Sequence, residues 1–395
     1  MISSPAPAGE VWPLAGDGGG NPVSVYVHWP YCSRICPYCD FNVTRDRGQA
    51  SQRALFDAIL RDLSSQAELI GSRHLHSVFF GGGTPSLLPP DWVGELVARA
   101  GQLFPPWAEA VEITLEANPT DAEIGRFAAF RDAGVNRLSL GVQSLDDAAL
   151  KFLGRNHSAV EAQRGVEAAG TVFDRVSLDL IYALPGHTVA EWRTELVRAA
   201  DLGIEHVSPY QLTIESTTVF GRAVRRGLWS PPDENLAEAF YFATQETLEA
   251  LGFEAYEISN HARGPAAQSE HNVSVWRGNE YIGVGPGAHG RLTLDGQRVA
   301  TTAIDDLKAY AARVAETGTG HEKEALSPLE AEEEAAMLGL RMAEGVALDR
   351  FHLLELRDRA APLIEQGFME TSATHLRATS RGRVVLDRLL MDLLV

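Results

Sequence analysis

The stretch Val25-Tyr-Val-His-Trp-Pro-Tyr-Cys-Ser-Arg-Ile-Cys-Pro-Tyr-Cys-Asp-Phe-Asn42 holds every cysteine of the 395-residue chain, at positions 32, 36 and 39. Three cysteines cannot all pair within one chain, and CxxxCxxC spacing suits three thiolates converging on one inorganic centre. A four-iron cluster ordinarily takes four thiolates. Three leave one iron with an open position, where chemistry can occur. Two other readings stay open. Zinc would need a fourth ligand, for instance His28 or His157, and structural zinc sites usually come as two closely spaced pairs. A redox dithiol would need only Cys36-Pro-Tyr-Cys39.

Composition narrows the classes. An apolar content of 45% makes the chain globular, and its length allows two or three domains. Formal net charge is −19, from 53 acidic against 34 basic residues. That argues against nucleic acid as a partner, because phosphate contacts need a basic surface. It leaves room for a small anionic ligand in a locally basic cleft. Residues 1–22 read as a flexible tail without a secretory signature. No apolar run is long enough for a bilayer span. The expected setting is a reducing one, the cytoplasm.

Outward from the cysteine loop, short apolar strands alternate with helices. Strands are expected at 24–29, 76–80, 111–116, 137–142, 174–181 and 206–212. Helices are expected at 50–70, 91–103, 121–132, 146–153, 158–169, 188–202 and 233–251. Six strand–helix steps predict an α/β fold, an open (β/α)6 partial barrel of TIM type over residues 23–252. In 111–116, Val111, Ile113 and Leu115 share one face and Glu112, Thr114 and Glu116 the other. The same split sets Ser139, Gly141 and Gln143 apart in the next strand, and Ser177 and Asp179 in the one after. A parallel strand covered by helices is normally apolar on both faces. Three consecutive half-polar strands predict a polar cavity inside a curved sheet.

Residues 253–320 break the alternation and are read as barrel-flanking elements, with 301–318 helical. Glycines crowd Tyr281–Gly290, where the backbone must turn tightly or approach something closely. Residues 321–395 read as a separate winged-helix-like α+β domain. Its first helix starts at Ser327-Pro328 with Glu330 three residues after the cap, and runs to about Ala343. Two short helices and a strand pair near 368–373 and 383–387 complete it. This unit is too acidic for DNA and is expected to pack as a cap.

Gly81-Gly-Gly-Thr-Pro85 directly follows the second strand. Backbone N–H and C=O groups at a strand's C-terminal end can clamp the amino-acid part of a small ligand. With the cysteine loop continuing into Tyr38, Asp40 and Phe41, the chain resembles the radical S-adenosylmethionine (SAM) superfamily. The resemblance implies a [4Fe-4S] cluster on Cys32, Cys36 and Cys39, its open iron chelated by SAM. An electron from the reduced cluster would then cleave the sulfonium to a 5′-deoxyadenosyl radical. It implies SAM contacts from Gly82, Gly83 and Thr84, and from Glu116, Gln143, Arg155 and Asp179. Alternation alone had already sent Glu116, Gln143 and Asp179 to the cavity. Arg155 could equally be a surface arginine at a helix end. Tyr26 and His28 leave one face of the first strand just ahead of the loop. Both are candidates for catalysis and Tyr26 for cofactor binding, against a buried tyrosine and a hydrogen-bonded histidine.

Within the superfamily, Tyr26–Cys32, Gly81–Ser86, Asp179–Pro185 and Tyr281–Gly290 resemble the oxygen-independent coproporphyrinogen III oxidase family. The similarity spans Ser24 to the C-terminal unit. The oxidase carries a fourth cysteine two residues after the third and a longer N-terminal extension. Here that position is Phe41 and the tail is short. Both features resemble the family's heme chaperone (HemW-type) branch. That implies heme as bound cargo, with the SAM machinery intact and the oxidase reaction lost. Implied partners are heme-accepting respiratory membrane proteins, an electron donor such as flavodoxin or ferredoxin, and a second copy in a homodimer. Implied location is the cytoplasm, with peripheral attachment to the membrane. The alternative is an active coproporphyrinogen III oxidase, forming protoporphyrinogen IX. His271-Asn-Val-Ser-Val-Trp276 resembles a heme-binding stretch, which makes His271, Asn272 and Trp276 candidates; His261 and His289 are weaker ones. A histidine and an asparagine bonded locally in a loop would be the bland equivalent.

Overall fold

A computed structural model describes residues 21–46, 48–105 and 111–394. The expected tail lies outside them except for its last two residues, and Pro22 already opens the first strand. Six strands, β1 (Pro22–Trp29), β2 (His74–Gly82), β3 (Glu112–Ala117), β4 (Arg137–Gln143), β5 (Arg175–Tyr182) and β6 (His206–Gln211), pair in sequence order and in parallel. Helices between them cover the sheet with apolar stripes. In Gln49–Ile70, Phe56, Ile59 and Leu63 recur at helical spacing and are fully buried. Leu138, Leu140, Val142, Leu178 and Leu180 meet such helices in one core. A short helix at Val219–Arg225 was not anticipated; its Phe220 backbone N–H donates to Pro37 O at 3.0 Å and braces the cysteine loop.

After residue 252 the sheet continues through the flanking elements expected at 253–320. Strands β7 (Glu254–Ala255) and β8 (His261–Ala262) extend the β6 edge. Strand β9 (Glu280–Val284) returns to the other side and pairs in parallel with β1. From it, β10 (His289–Leu294), β11 (Gln297–Ala303) and β12 (His321–Ala325) run antiparallel outward. Among the described residues the order is β12-β11-β10-β9-β1-β2-β3-β4-β5-β6-β8-β7. Its ends do not pair, so the barrel is open, as predicted. The glycines of 281–290 serve this docking. A Cβ on Gly285, at φ +104°, would stand 2.3 Å from the His28 carbonyl oxygen.

Two local readings change. Residues 301–303 belong to β11, because β-branched Thr301 and Thr302 pair on both sides. The helix begins only at Leu307, capped by Asp306. In the C-terminal unit the Ser327–Glu330 capping box forms, but the helix ends at Gly339 rather than near Ala343. The small sheet joins Val346–Ala347, His375–Ala378 and Met369–Thr371. Residues 383–387, read as a strand, are helical for the most part: Thr379 caps Ser380–Val384 and a further helix follows at Leu386–Leu394. Arg383-Val-Val has strand-like residues, but Leu386, Leu389, Leu390 and Leu393 have helical spacing and are buried together.

Candidate functional site

At the C-terminal ends of β1 to β6 the sheet encloses a 570 Å³ cavity. Cys32, Cys36, Cys39, Gly82, Gly83, Thr84, Glu116, Gln143, Arg155 and Asp179 all line it. The thiols share one wall. Among the described residues, no three His, Cys, Asp or Glu side chains form a single-ion site. Zinc needs its ligands gathered on one ion, whereas a cluster takes each thiolate at its own iron. Of the two candidate fourth zinc ligands, His28 has both ring nitrogens bonded, whereas His157 keeps its Nδ1 without a partner among the described residues. His28 bonds Tyr26 Oη at 3.0 Å through Nδ1 and Asn42 O at 2.8 Å through Nε2. His157 Nε2 bonds Val142 O at 3.0 Å.

The loop is pinned to β2 from below. Gly83 N–H donates to Trp29 O at 2.8 Å and Thr84 N–H to Tyr31 O at 2.9 Å. A Cβ on Gly83 would stand 2.8 Å from each of three backbone atoms of residues 29–31, so only glycine permits this approach. The Thr84 hydroxyl donates to Cys32, and the Gly82 N–H to Glu116. The N–H groups of Gly83 and Thr84 are therefore spent on the cysteine loop. Burial pushes the Cys32 thiol up, and the Cys39 thiol up to about 11.

Arg155 is no surface residue. Its Nη1 donates to Cys36 Sγ at 3.4 Å, and its Nη2 to Gly141 O at 2.8 Å and to Asn118 Oδ1. Its buried Nε has no partner among the described residues. Gln143 lines the same wall at φ +67°, a conformation uncommon for a side chain of this kind. Below them Asp179 accepts from Ser139 Oγ at 3.2 Å. Burial raises Asp179 to about 6 against the pull of Ser208, Arg137, Ser139 and Arg155. Burial, then the Asp179 charge, raises Glu116 to about 8. Glycines that admit backbone, unpartnered Arg155 Nε and acidic acceptors fit a cluster with a sulfonium nucleoside beside it.

Tyr26 and His28 are not in this cavity. The His28 ring lies under Gly82, whose Cβ would stand 2.6 Å from it. Tyr26 lines a second, 270 Å³ cavity with Phe79, Tyr210, His271, Asn272 and Trp276. His271 and Trp276 lie on the helix Glu270–Trp276. Glu112, at the start of β3, receives the N–H groups of Glu270 and His271 at 3.0 Å each. Burial pushes the Glu112 carboxyl up, but Arg137, Arg175 and these N–H groups outweigh it and hold it below the usual range. His271 thus sits beside Ser77, five residues before Gly82, about 16 Å along β2. Burial lowers the His271 imidazole to about 4. His261 is buried on Gln245, and His289 is an exposed residue beside Thr302.

Sequence reasoning missed Asn118, Ser208 and Tyr210. The alternation His206, Ser208, Tyr210 in β6 carried a signal for the last two. Tyr210 lines both cavities.

The profile of the Radical SAM superfamily matches residues 26–197, and that of the HemN C-terminal domain matches 326–385. The chain is 39% identical over 392 residues to Radical S-adenosyl methionine domain-containing protein 1, mitochondrial, of Bos taurus, covering 95% of this chain and 88% of that one. It is 36% identical over 380 residues to Heme chaperone HemW of Escherichia coli, covering 93% and 97%. The HemW of Bacillus subtilis is 34% identical, covering 92% and 96%. Among solved structures, the radical SAM enzyme coproporphyrinogen III oxidase (HemN) from Escherichia coli superposes with a TM-score of 0.79, over 95% of this chain and 90% of that one. At 22% identity that likeness is one of fold.

Proposed function

The chain belongs to the radical SAM superfamily, in the family that contains the heme chaperones HemW, and on that premise we propose that it is a heme chaperone. It binds a [4Fe-4S] cluster, SAM and heme, and hands heme to respiratory membrane proteins. One observation carries the reading: two cavities are stacked inside one open barrel, with the thiols and acidic groups in one and His271 in the other.

In the upper cavity the three cysteines hold the cluster, with Arg155 bracing the Cys36 sulfur. Gly82, Gly83, Thr84, Glu116, Gln143 and Asp179, which line the same cavity, would hold SAM beside the cluster. When bound, the cluster and SAM supply one-electron cleavage chemistry. Tyr26 and His28 serve from behind, His28 by supporting Gly82. In the lower cavity His271 supplies an imidazole, and Trp276, with Asn272 beside it, an aromatic face for a porphyrin. A volume of 270 Å³ is below that of a pocket enclosing a drug-sized ligand. A macrocycle would not be enclosed there, which suits a cargo that must be passed on.

The oxidase alternative is disfavoured by Phe41, which stands 62% exposed at the rim where the oxidase has its fourth cysteine. Among the described residues no helix is long and apolar enough to cross a membrane. Cytoplasmic location with peripheral attachment, an electron donor of flavodoxin or ferredoxin type and a homodimer complete the proposal. The test is a paired anaerobic assay on cluster-reconstituted protein. Stoichiometric heme binding without decarboxylation of coproporphyrinogen III is expected; formation of protoporphyrinogen IX would sink the chaperone reading.

A further inference from the structure

Three buried hydroxyls from distant parts of the chain meet beneath the lower cavity. Ser77 Oγ on β2 donates to Ser24 Oγ on β1 at 2.9 Å, and Ser24 Oγ donates to Ser274 Oγ at 3.5 Å. Ser274 lies on the helix that carries His271, and its Oγ also accepts from Asn279 Nδ2 at 3.2 Å. Ser77 Oγ stands 3.0 Å from His271 Nδ1. All four residues are buried. A hydroxyl has one hydrogen to give. Ser77 gives its own to Ser24, so in the bond to His271 it can only accept. The hydrogen in that bond is therefore on Nδ1. Nε2 of the neutral ring is then the nitrogen that carries the lone pair.

The ring orientation is held independently. Phe79 stacks on His271 at 4.9 Å between centroids, tilted by 28°. Glu112 fixes the helix start through the His271 N–H. A histidine that ligates iron needs this arrangement, with one nitrogen donating to a fixed acceptor so that the other presents its lone pair.

We propose that Ser77, aligned by Ser24 and Ser274, is a positioning residue that locks His271 in its Nδ1–H tautomer and thereby presents Nε2 as the axial ligand to heme iron at the lower cavity. This rests on the heme reading, yet the tautomer is fixed before any heme arrives. Loading then needs no proton transfer at the ring.

The test uses the full chain. In the heme-free protein labelled with 15N-histidine, the His271 signals are assigned by their loss in His271→Asn. Long-range 1H–15N spectra should show a protonated Nδ1 and an unprotonated Nε2; an Nε2–H tautomer overturns the proposal. Ser24→Ala frees the Ser77 hydrogen to turn towards Nδ1 and should shift the ring towards Nε2–H. Ser77→Ala should weaken heme binding about tenfold or more, the range for loss of a partner behind a ligating histidine. Thermal melting confirms that each variant is folded. Ser77→Ala that binds heme like the wild type, with the tautomer unchanged, overturns the positioning role. If His271→Asn also binds heme normally, the ligand assignment fails while the tautomer measurement still stands, which separates the two failures.

Discussion

Glu116 on β3 and Asp179 on β5 look into one cavity across β4, and the Asp179 charge helps hold Glu116 protonated up to about 8. Both are raised by burial first. Two acids kept high in a polar cavity mark a place built for a cationic or hydroxyl-rich ligand rather than for stability.

The first consequence is a pH dependence of the ligand-free fold. A carboxyl raised above its unfolded value binds more protons when folded, so its contribution is fully present below the unfolded pKa. For Glu116 it is lost between pH 4.5 and about 8, and for Asp179 between 3.8 and about 6. The buried histidines are neutral in both states above about pH 7, so urea midpoints should fall from pH 7 to pH 8.5, and Glu116→Gln should remove about 1–2 kcal/mol of that fall. An unaltered slope in the variant would count against the assignment.

Removing Arg155 should act on cofactor loading. In Arg155→Met, Cys36 Sγ, Asn118 Oδ1 and Gly141 O lose a charged donor, a loss of about 1–3 kcal/mol. Iron and acid-labile sulfide after reconstitution should drop, and SAM affinity by calorimetry should fall about tenfold, while heme affinity is retained. Equal losses at both cavities would argue for general unfolding instead.

Two glycine-to-alanine changes should move in opposite directions. Gly83→Ala drives a Cβ into the backbone of residues 29–31 and should destabilise by more than about 1–3 kcal/mol. Gly170, in the helix Ala159–Val172, has nothing within 4 Å of such an atom. Gly170→Ala should stabilise by up to about 1 kcal/mol. Chemical denaturation of the two proteins side by side decides this.

Glu112→Gln tests the lower cavity. It leaves Arg175, now 2.9 Å from the carboxylate, facing an uncharged partner and weakens the seat of the helix Glu270–Trp276. Breaking a buried pair typically costs about 3–5 kcal/mol. A lowered melting temperature and weaker heme binding are expected, with cluster content unchanged in the folded fraction. Selective loss of cluster would contradict the separation of the two sites.

The sequence by itself determined the upper cavity. Three cysteines in one short loop, a glycine run at the end of the next strand and alternation in β3 to β5 are local patterns. In parallel strands they map directly onto one end and one face of the sheet. Tertiary structure decided the rest. Whether Glu280–Val284 pairs beside β1 depends on a partner more than 250 residues away, and an apolar strand does not name its neighbour. Arg155 looked like any helix-end arginine until Cys36, Asn118 and Gly141 closed around it. His271 is the sharpest case. The sequence made it a heme candidate, but only the meeting of Ser24, Ser77, Ser274 and Glu112 says which end of the barrel it occupies. The same meeting leaves its Nε2 without a hydrogen. Hydrogen-bond direction is set by the count of donors at a point in space, and no stretch of sequence contains that count.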